Sequence, residues 1–164
     1  MDNVAWTASA GHVTRAAAVV AGVPTRSGLL KRMRELLGVG TLRTERDLVA
    51  LVEERLATSA IDTLRQAGLT DDEVYAILIP RRTLAHRLAR REPLSRDESD
   101  RVVRMARIAG PGEEVFGDPS RSWRWLRAAK RQFDGRSPLD LLTTEAGTRL
   151  VEELLYRIDD GMAA

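Results

Sequence analysis

The 164-residue sequence predicts an all-α protein, and three observations carry that prediction. Apolar residues make up 43% of the chain but aromatics only 4%, so the core must be built from Leu, Val, Ile and Ala, of which Leu and Ala favour helix. Those apolar residues recur at helical spacing along most of the chain. Between the periodic segments stand capping residues and glycine stops, the punctuation of helix ends.

Residues 1–24 are rich in Ala and Val with little periodicity, and are expected to form a mobile arm. A first helix is predicted from Arg26 to Leu37, on Leu29, Leu30, Met33, Leu36 and Leu37, with Gly38 to Gly40 ending it. Leu48, Leu51 and Val52 mark a second, shorter one. Ser59 is expected to cap a third that carries Ile61, Leu64 and Ala67 and stops at Gly68. Thr70 and Glu73 form a capping box, with Leu69 and Val74 at staple spacing, and this helix closes near Leu78. Ile79 and Pro80 make a tight joint, and Pro80 suits the first turn of a helix over Arg81 to Arg91 with Leu84 and Leu88 inward. Ser95 and Glu98 open a further helix, expected to end near Ile108 because Gly110-Pro111-Gly112 reads as a break and a domain boundary. Glu113 to Phe116 then reads as a single turn ended by Gly117. Asp118-Pro119 starts a helix with Trp125, Leu126 and Ala129, and Ser137-Pro138 a short one to Leu142. Thr143 or Thr144 caps the last helix, which Gly161 stops.

Two short helices, a tight turn and a third helix describe a helix-turn-helix unit. With Leu84 and Leu88 inward, the outer face of the third helix carries Arg82, Thr83, His86, Ala89 and Arg90, flanked by Arg81 and Arg87. Such a face suits the DNA major groove, since Arg bridges a guanine edge and Thr or Ala meets a thymine methyl. The same pattern also describes a plain helical hairpin with a solvated arginine side. Charge is unevenly spread. Residues 81–108 hold nine arginines against four carboxylates, and residues 137–164 two arginines against six. This distribution suits one anionic and one cationic partner. Lysine occurs only at Lys31 and Lys130, so a general preference for arginine explains part of it.

Catalytic and metal-binding classes find no footing. Cysteine is absent, which removes disulfides and thiolate chemistry, and His12 and His86 show no ligand spacing. No phosphate-binding glycine loop, paired-histidine zinc motif or nucleophile elbow is present. Neither a membrane span nor a signal peptide is legible, so a cytoplasmic binding protein without cofactor is expected.

The second half carries a more specific pattern. Phe116-Gly117-Asp118, Trp125-Leu126, the run Gly135 to Leu142, Thr144 to Gly147, Val151-Glu152, Leu154-Leu155 and Arg157 to Gly161 follow one another in order. This pattern resembles the toxin-binding domain of the Xre/MbcA/ParS group of antitoxins over roughly residues 109–164. Leu69 to Arg87 and Leu94 to Arg101 are similar to that group's Xre-type helix-turn-helix half, and Arg26 to Gly38 to its leader helix. The resemblance implies N-terminal helices and a DNA-binding, dimerising domain over 25–108, followed by a small helical toxin-binding domain over 109–164. It implies a type II antitoxin that blocks a cognate RES-domain toxin, an enzyme that consumes NAD or transfers ADP-ribose, and that represses its own operon. A stand-alone helix-turn-helix regulator is the alternative.

Leu139, Leu142, Leu150, Val151, Leu154 and Ile158 read as core of that domain, and Gly135 and Gly147 as backbone requirements. The candidate DNA-binding residues are Arg81, Arg82, Thr83, His86, Arg87 and Arg90. The candidate toxin-binding residues are Arg149, Glu152, Glu153, Tyr156, Arg157, Asp159, Asp160, Gly161 and Met162, with the terminal acids as mimics of a pyrophosphate. Trp123, beside Trp125, reads either as an exposed aromatic anchor or as a second core tryptophan.

Overall fold

The computed structural model describes residues 26–161, with side chains from Gly28 onward, and among these every regular element is helical. The arm expected over 1–24 and the candidate residue Met162 lie outside the described residues. Helix α1 spans Arg26–Leu37, α2 Glu45–Glu54 and α3 Ser59–Gln66. Helix α4 begins as Asp71–Glu73 and widens over Val74–Leu78, where the Ile79 amide reaches back five residues to the Val74 carbonyl. Helix α5 spans Arg81–Arg90, α6 Arg96–Phe116 and α7 Pro119–Arg127. A tight turn at Arg131–Phe133 precedes α8 (Pro138–Leu141) and α9 (Glu145–Asp159).

Helix starts follow local chemistry. Thr70 with Glu73, Ser95 with Glu98 and Ser137 with Asp140 each exchange side-chain and backbone bonds in reciprocal capping boxes. Asp118 caps α7 ahead of Pro119, and Thr144 rather than Thr143 caps α9. A fourth capping box, Thr44 with Asp47, sets the start of α2. Ser59 does not cap α3. It is the first helical residue, and the flanking Thr58 makes no side-chain cap.

The expected break at Gly110-Pro111-Gly112 does not occur, because α6 runs through it as one 21-residue helix. Pro111 removes only one amide from the ladder. All three residues are buried, and packing on both sides holds the backbone helical. Helix α6 is the axis of the molecule. Its buried Val102, Val103, Met105, Ala106, Ile108 and Ala109 meet side chains from the helices on either side. Helices α1 and α2 pack on it from one end of the chain, α7 and α9 from the other. Arg32 of α1 reaches Glu113 near its C-terminal end at 2.6 Å.

The two glycines of that stretch are not equivalent. A Cβ on Gly110 would meet Leu29, Arg32 and Met33 at 3.6–3.7 Å, ordinary contact distances. On Gly112 it would fall 2.5 Å from Ser122 Oγ of α7. Gly110→Ala is therefore expected to stabilise by about 0.5–1 kcal/mol, since glycine in a helix interior is entropically costly. That corresponds to a rise in Tm of about 1–4 °C for a chain of this size. Gly112→Ala should lower Tm instead, and calorimetry of the two variants checks the contrast.

The capping carboxylates have a pH signature. Hydrogen bonds from the Ser137 side chain and backbone hold Asp140 below the usual aspartate range, as those from the Arg43 and Thr44 amides do Asp47. A carboxylate depressed in the folded state stabilises above its unfolded pKa of about 4, and that contribution disappears as pH falls through the folded value. The stability gap between wild type and Asp140→Asn should therefore be full at neutral pH and close below about pH 4. Urea titrations at several pH values measure it.

Candidate functional surfaces

Helices α4 and α5, joined by Ile79-Pro80, form the helix-turn-helix. Pro80 supplies no side-chain cap, so the first amides of α5 have no side-chain acceptor. Arg81, Arg82, His86 and Arg90 are exposed, Thr83 is half-buried, and the helix contains no carboxylate. The Arg81 guanidinium lies 5.6 Å over the Tyr75 ring, and Arg90 sits 3.8 Å from Glu92. Arg82 and His86 make no bond or ion pair among the described residues.

Two positions on α5 differ from the sequence reading. Leu84 is buried, but Leu88 is 51% exposed. The second inward position belongs to Arg87, whose guanidinium pairs with Glu98 at 2.7 Å and donates to the Pro93 carbonyl at 3.1 Å. That ion pair rotates the inward seam from Leu84/Leu88 to Leu84/Arg87. Arg87 thus holds the α5–α6 loop, and Leu88 joins Ala85 and Ala89 on the outer face.

In the C-terminal part, Trp123 is the second core tryptophan. It is 3% exposed, and its indole donates to the Ala67 carbonyl. Trp125 is half-buried, 5.4 Å from Phe116 and capped by Lys130 at 4.8 Å. Ala129, expected on the apolar side of α7, lies past its end and is exposed. Gly135 adopts φ +81, and a Cβ on Gly147 would fall on the Leu141 carbonyl, so both are backbone requirements.

Helix α9 presents two faces. Val151, Leu154 and Leu155 are buried with Gly147 and Thr148, and Ile158 is half-buried. Leu139 and Leu142 are buried as expected, but Leu150 is 50% exposed. Val151, Leu154, Leu155 and Ile158 already complete a seam at i, i+3, i+4 and i+7, which places Leu150 off it. That signal was available in the sequence. The outer face carries Ala146, Arg149, Leu150, Glu153, Tyr156 and Arg157, with Tyr156 56% exposed. Tyr156 also edges a cleft of about 760 Å³ whose apolar lining includes Leu29, Leu48, Val52 and Val103.

The acidic residues divide. Glu153 and Asp160 are exposed, as is Gly161 at φ +69. Asp159 is half-buried near Glu114, whose carboxyl is pushed up by burial and then by the Asp159 charge. Glu152 is not a free surface charge. Arg107 of α6 holds it at 2.8 Å and also reaches Glu145 at 3.3 Å, so this pair ties α9 to the central helix.

The helical frame joins a helix-turn-helix to a small C-terminal domain with one face of its last helix left open. Residues 47–107 match the Antitoxin Xre-like helix-turn-helix domain, and residues 112–161 the Antitoxin Xre/MbcA/ParS C-terminal toxin-binding domain. A protein named Antitoxin Xre from Pseudomonas putida is 35% identical over 130 residues, 79% of this chain and 82% of its own. A second Antitoxin Xre, from Yersinia enterocolitica, is 31% identical over 118 residues, 70% and 80% of the two chains. A Sphingobium protein named Prs ADP-ribosylating antitoxin is 27% identical over 129 residues, 72% and 81%. The chain belongs to the Xre antitoxin family. Among the described residues no helix is long and apolar enough to cross a membrane.

Removing Arg107 leaves the half-buried Glu152 carboxylate unpaired. Arg107→Met should cost about 1–3 kcal/mol, the penalty for stranding a polar partner, and Glu152→Gln less. Thermal melts of the two single variants test this ordering.

Proposed function

We propose that this protein is a non-catalytic type II antitoxin whose C-terminal domain binds a RES-domain toxin and occludes its active site. The toxin's chemistry on this reading is NAD consumption or ADP-ribose transfer. The observation that carries it is the outer face of α9, where Leu150 and Tyr156 stand half exposed between Arg149, Glu153 and Arg157. Apolar anchors within a charged rim are the anatomy of a protein-binding patch. The exposed Asp160 and the partly covered Asp159 at the helix tip offer negative charge to a toxin pocket built for a pyrophosphate. The printed name of the Sphingobium relative, which couples antitoxin with ADP-ribosylation, supports the toxin class.

The DNA-binding role rests on α5. Its uncapped N-terminus and exposed Arg81, Arg82 and Arg90 suit phosphates and guanine edges, and Ala85, Leu88 and Ala89 suit thymine methyls. We assign repression of the antitoxin's own operon to this surface, acting as a homodimer in the cytoplasm. Arg87, held by Glu98, supports the reading helix from behind.

Three measurements test these assignments. Tyr156→Ala is expected to weaken toxin binding about tenfold or more with little change in Tm, because more than half of its surface faces solvent. A chain ending at Tyr156 should fail to protect cells that co-express the neighbouring gene product, and full protection would overturn occlusion. Arg82→Glu with Arg90→Glu should abolish binding to the upstream DNA fragment and spare neutralisation. Wild-type binding should weaken steeply with salt, whereas salt-insensitive, unchanged affinity in the double variant would remove α5 from the interface. A wild-type chain that binds the upstream DNA but neutralises no neighbouring gene product would favour the stand-alone regulator.

A further inference from the structure

The turn that opens the helix-turn-helix is held from outside the unit. Trp123 of α7 donates its indole N–H to the Ala67 carbonyl at 2.5 Å. Gly68, next in the chain, adopts φ +121, and a Cβ there would come within 2.6 Å of the indole nitrogen. Any side chain at this position is therefore excluded twice, by its own backbone and by the tryptophan. Arg127, one turn further along α7, lies 5.3 Å from the Trp123 ring. Its Nε and Nη2 take the two oxygens of Glu73 at 2.6 and 2.9 Å, and Nη2 also donates to the Gly68 carbonyl at 2.8 Å.

Glu73 is the same carboxylate that closes the capping box of α4 on the Thr70 amide. One side chain therefore both starts α4 and receives the guanidinium of α7. Helix α4 has little stability of its own. Three residues of regular helix give way at once to the wider turn Val74–Leu78, and so short a segment does not hold its geometry without tertiary support. Helix α5 in turn takes its position in part from α4, through the two-residue joint Ile79-Pro80 and the Arg81–Tyr75 contact, while Arg87 and Glu98 anchor its far end to α6.

We propose that Trp123 and Arg127, which belong to the C-terminal toxin-binding domain, are positioning residues of the DNA-binding surface. They fix the α3–α4 turn, and through α4 they set the presentation of α5. Operator affinity then depends on the seating of α7, so the domain that meets the toxin is mechanically continuous with the one that meets DNA. This inference rests on the DNA-binding reading of α5 for its functional half, and on geometry alone for its structural half.

The test uses the full-length chain and the variants Arg127→Ala, Arg127→Lys and Trp123→Phe. Affinity for the DNA fragment upstream of the gene, amide hydrogen exchange along the chain and binding of the co-expressed toxin are measured on each. Arg127→Ala should weaken DNA binding about tenfold, speed exchange selectively across residues 69–79 and leave toxin binding intact. Trp123→Phe, which keeps an aromatic ring but loses the donor and the five-membered ring against Gly68, should move the same readouts in the same direction. Arg127→Lys, which keeps the charge, should recover part of the loss. Unchanged exchange at 69–79 in both Arg127→Ala and Trp123→Phe would overturn the proposal, as would acceleration spread evenly over every helix. If the wild-type chain binds no DNA, the reading of α5 fails. Selective exchange at 69–79 would then still establish the clamp.

Discussion

Among the described residues, the most extensive helix packing is against α6, and burying it is the constraint on which the arrangement of its neighbours depends. Twenty-one residues long, it carries buried side chains around much of its circumference, so no single neighbour can cover it. Helices α1 and α2 enclose one side, the short helices of the helix-turn-helix its first turns, and α7 and α9 the remainder. A helix apolar on several faces is stable only inside a bundle. The N-terminal helices and the C-terminal domain thus meet on the same central rod, although separate domain families match the two ends of it.

The ion pairs that cross this frame lie at its joints rather than spread over its surface. Arg32–Glu113 ties α1 to the far end of α6, Arg107–Glu152 ties α9 to its middle, and Arg87–Glu98 ties α5 to its first turn. Arg127–Glu73 links α7 to α4. Each involves side chains at least partly withdrawn from water, where a pair is screened less than an exposed one. Arginine suits these places because its planar fork makes two directed bonds to a carboxylate. Part of the arginine content that composition alone leaves as solvated surface is therefore structural cement.

Local signals proved reliable where local chemistry decides the outcome. The capping boxes at Thr70 and Ser95, the cap at Ser137 and the proline starts at Pro119 and Pro138 were all legible, because each is settled by bonds within four residues. The C-terminal pattern was legible for the same reason, being a string of such caps around fixed glycines. The rest of the site was less so. Leu88 is apolar and one turn from the buried Leu84, yet it lies half exposed on the outer face of α5. Arg87 and Glu152 are charged, yet both are committed to partners eleven and forty-five residues away.

What the sequence determined by itself was the all-α class, the capped starts of most helices, the helix-turn-helix and an amphipathic terminal helix. These follow from periodicity and capping, which act over one or two turns. Only the tertiary structure decided that Gly110-Pro111-Gly112 stays helical, that Trp123 is core and that Arg87 and Glu152 face inward. The physical reason is common to all four. A proline in a helix, an aromatic ring or a charge at a seam each has two acceptable local states. The choice between them is made by burial and by partners that the chain brings near only when α6 is enclosed.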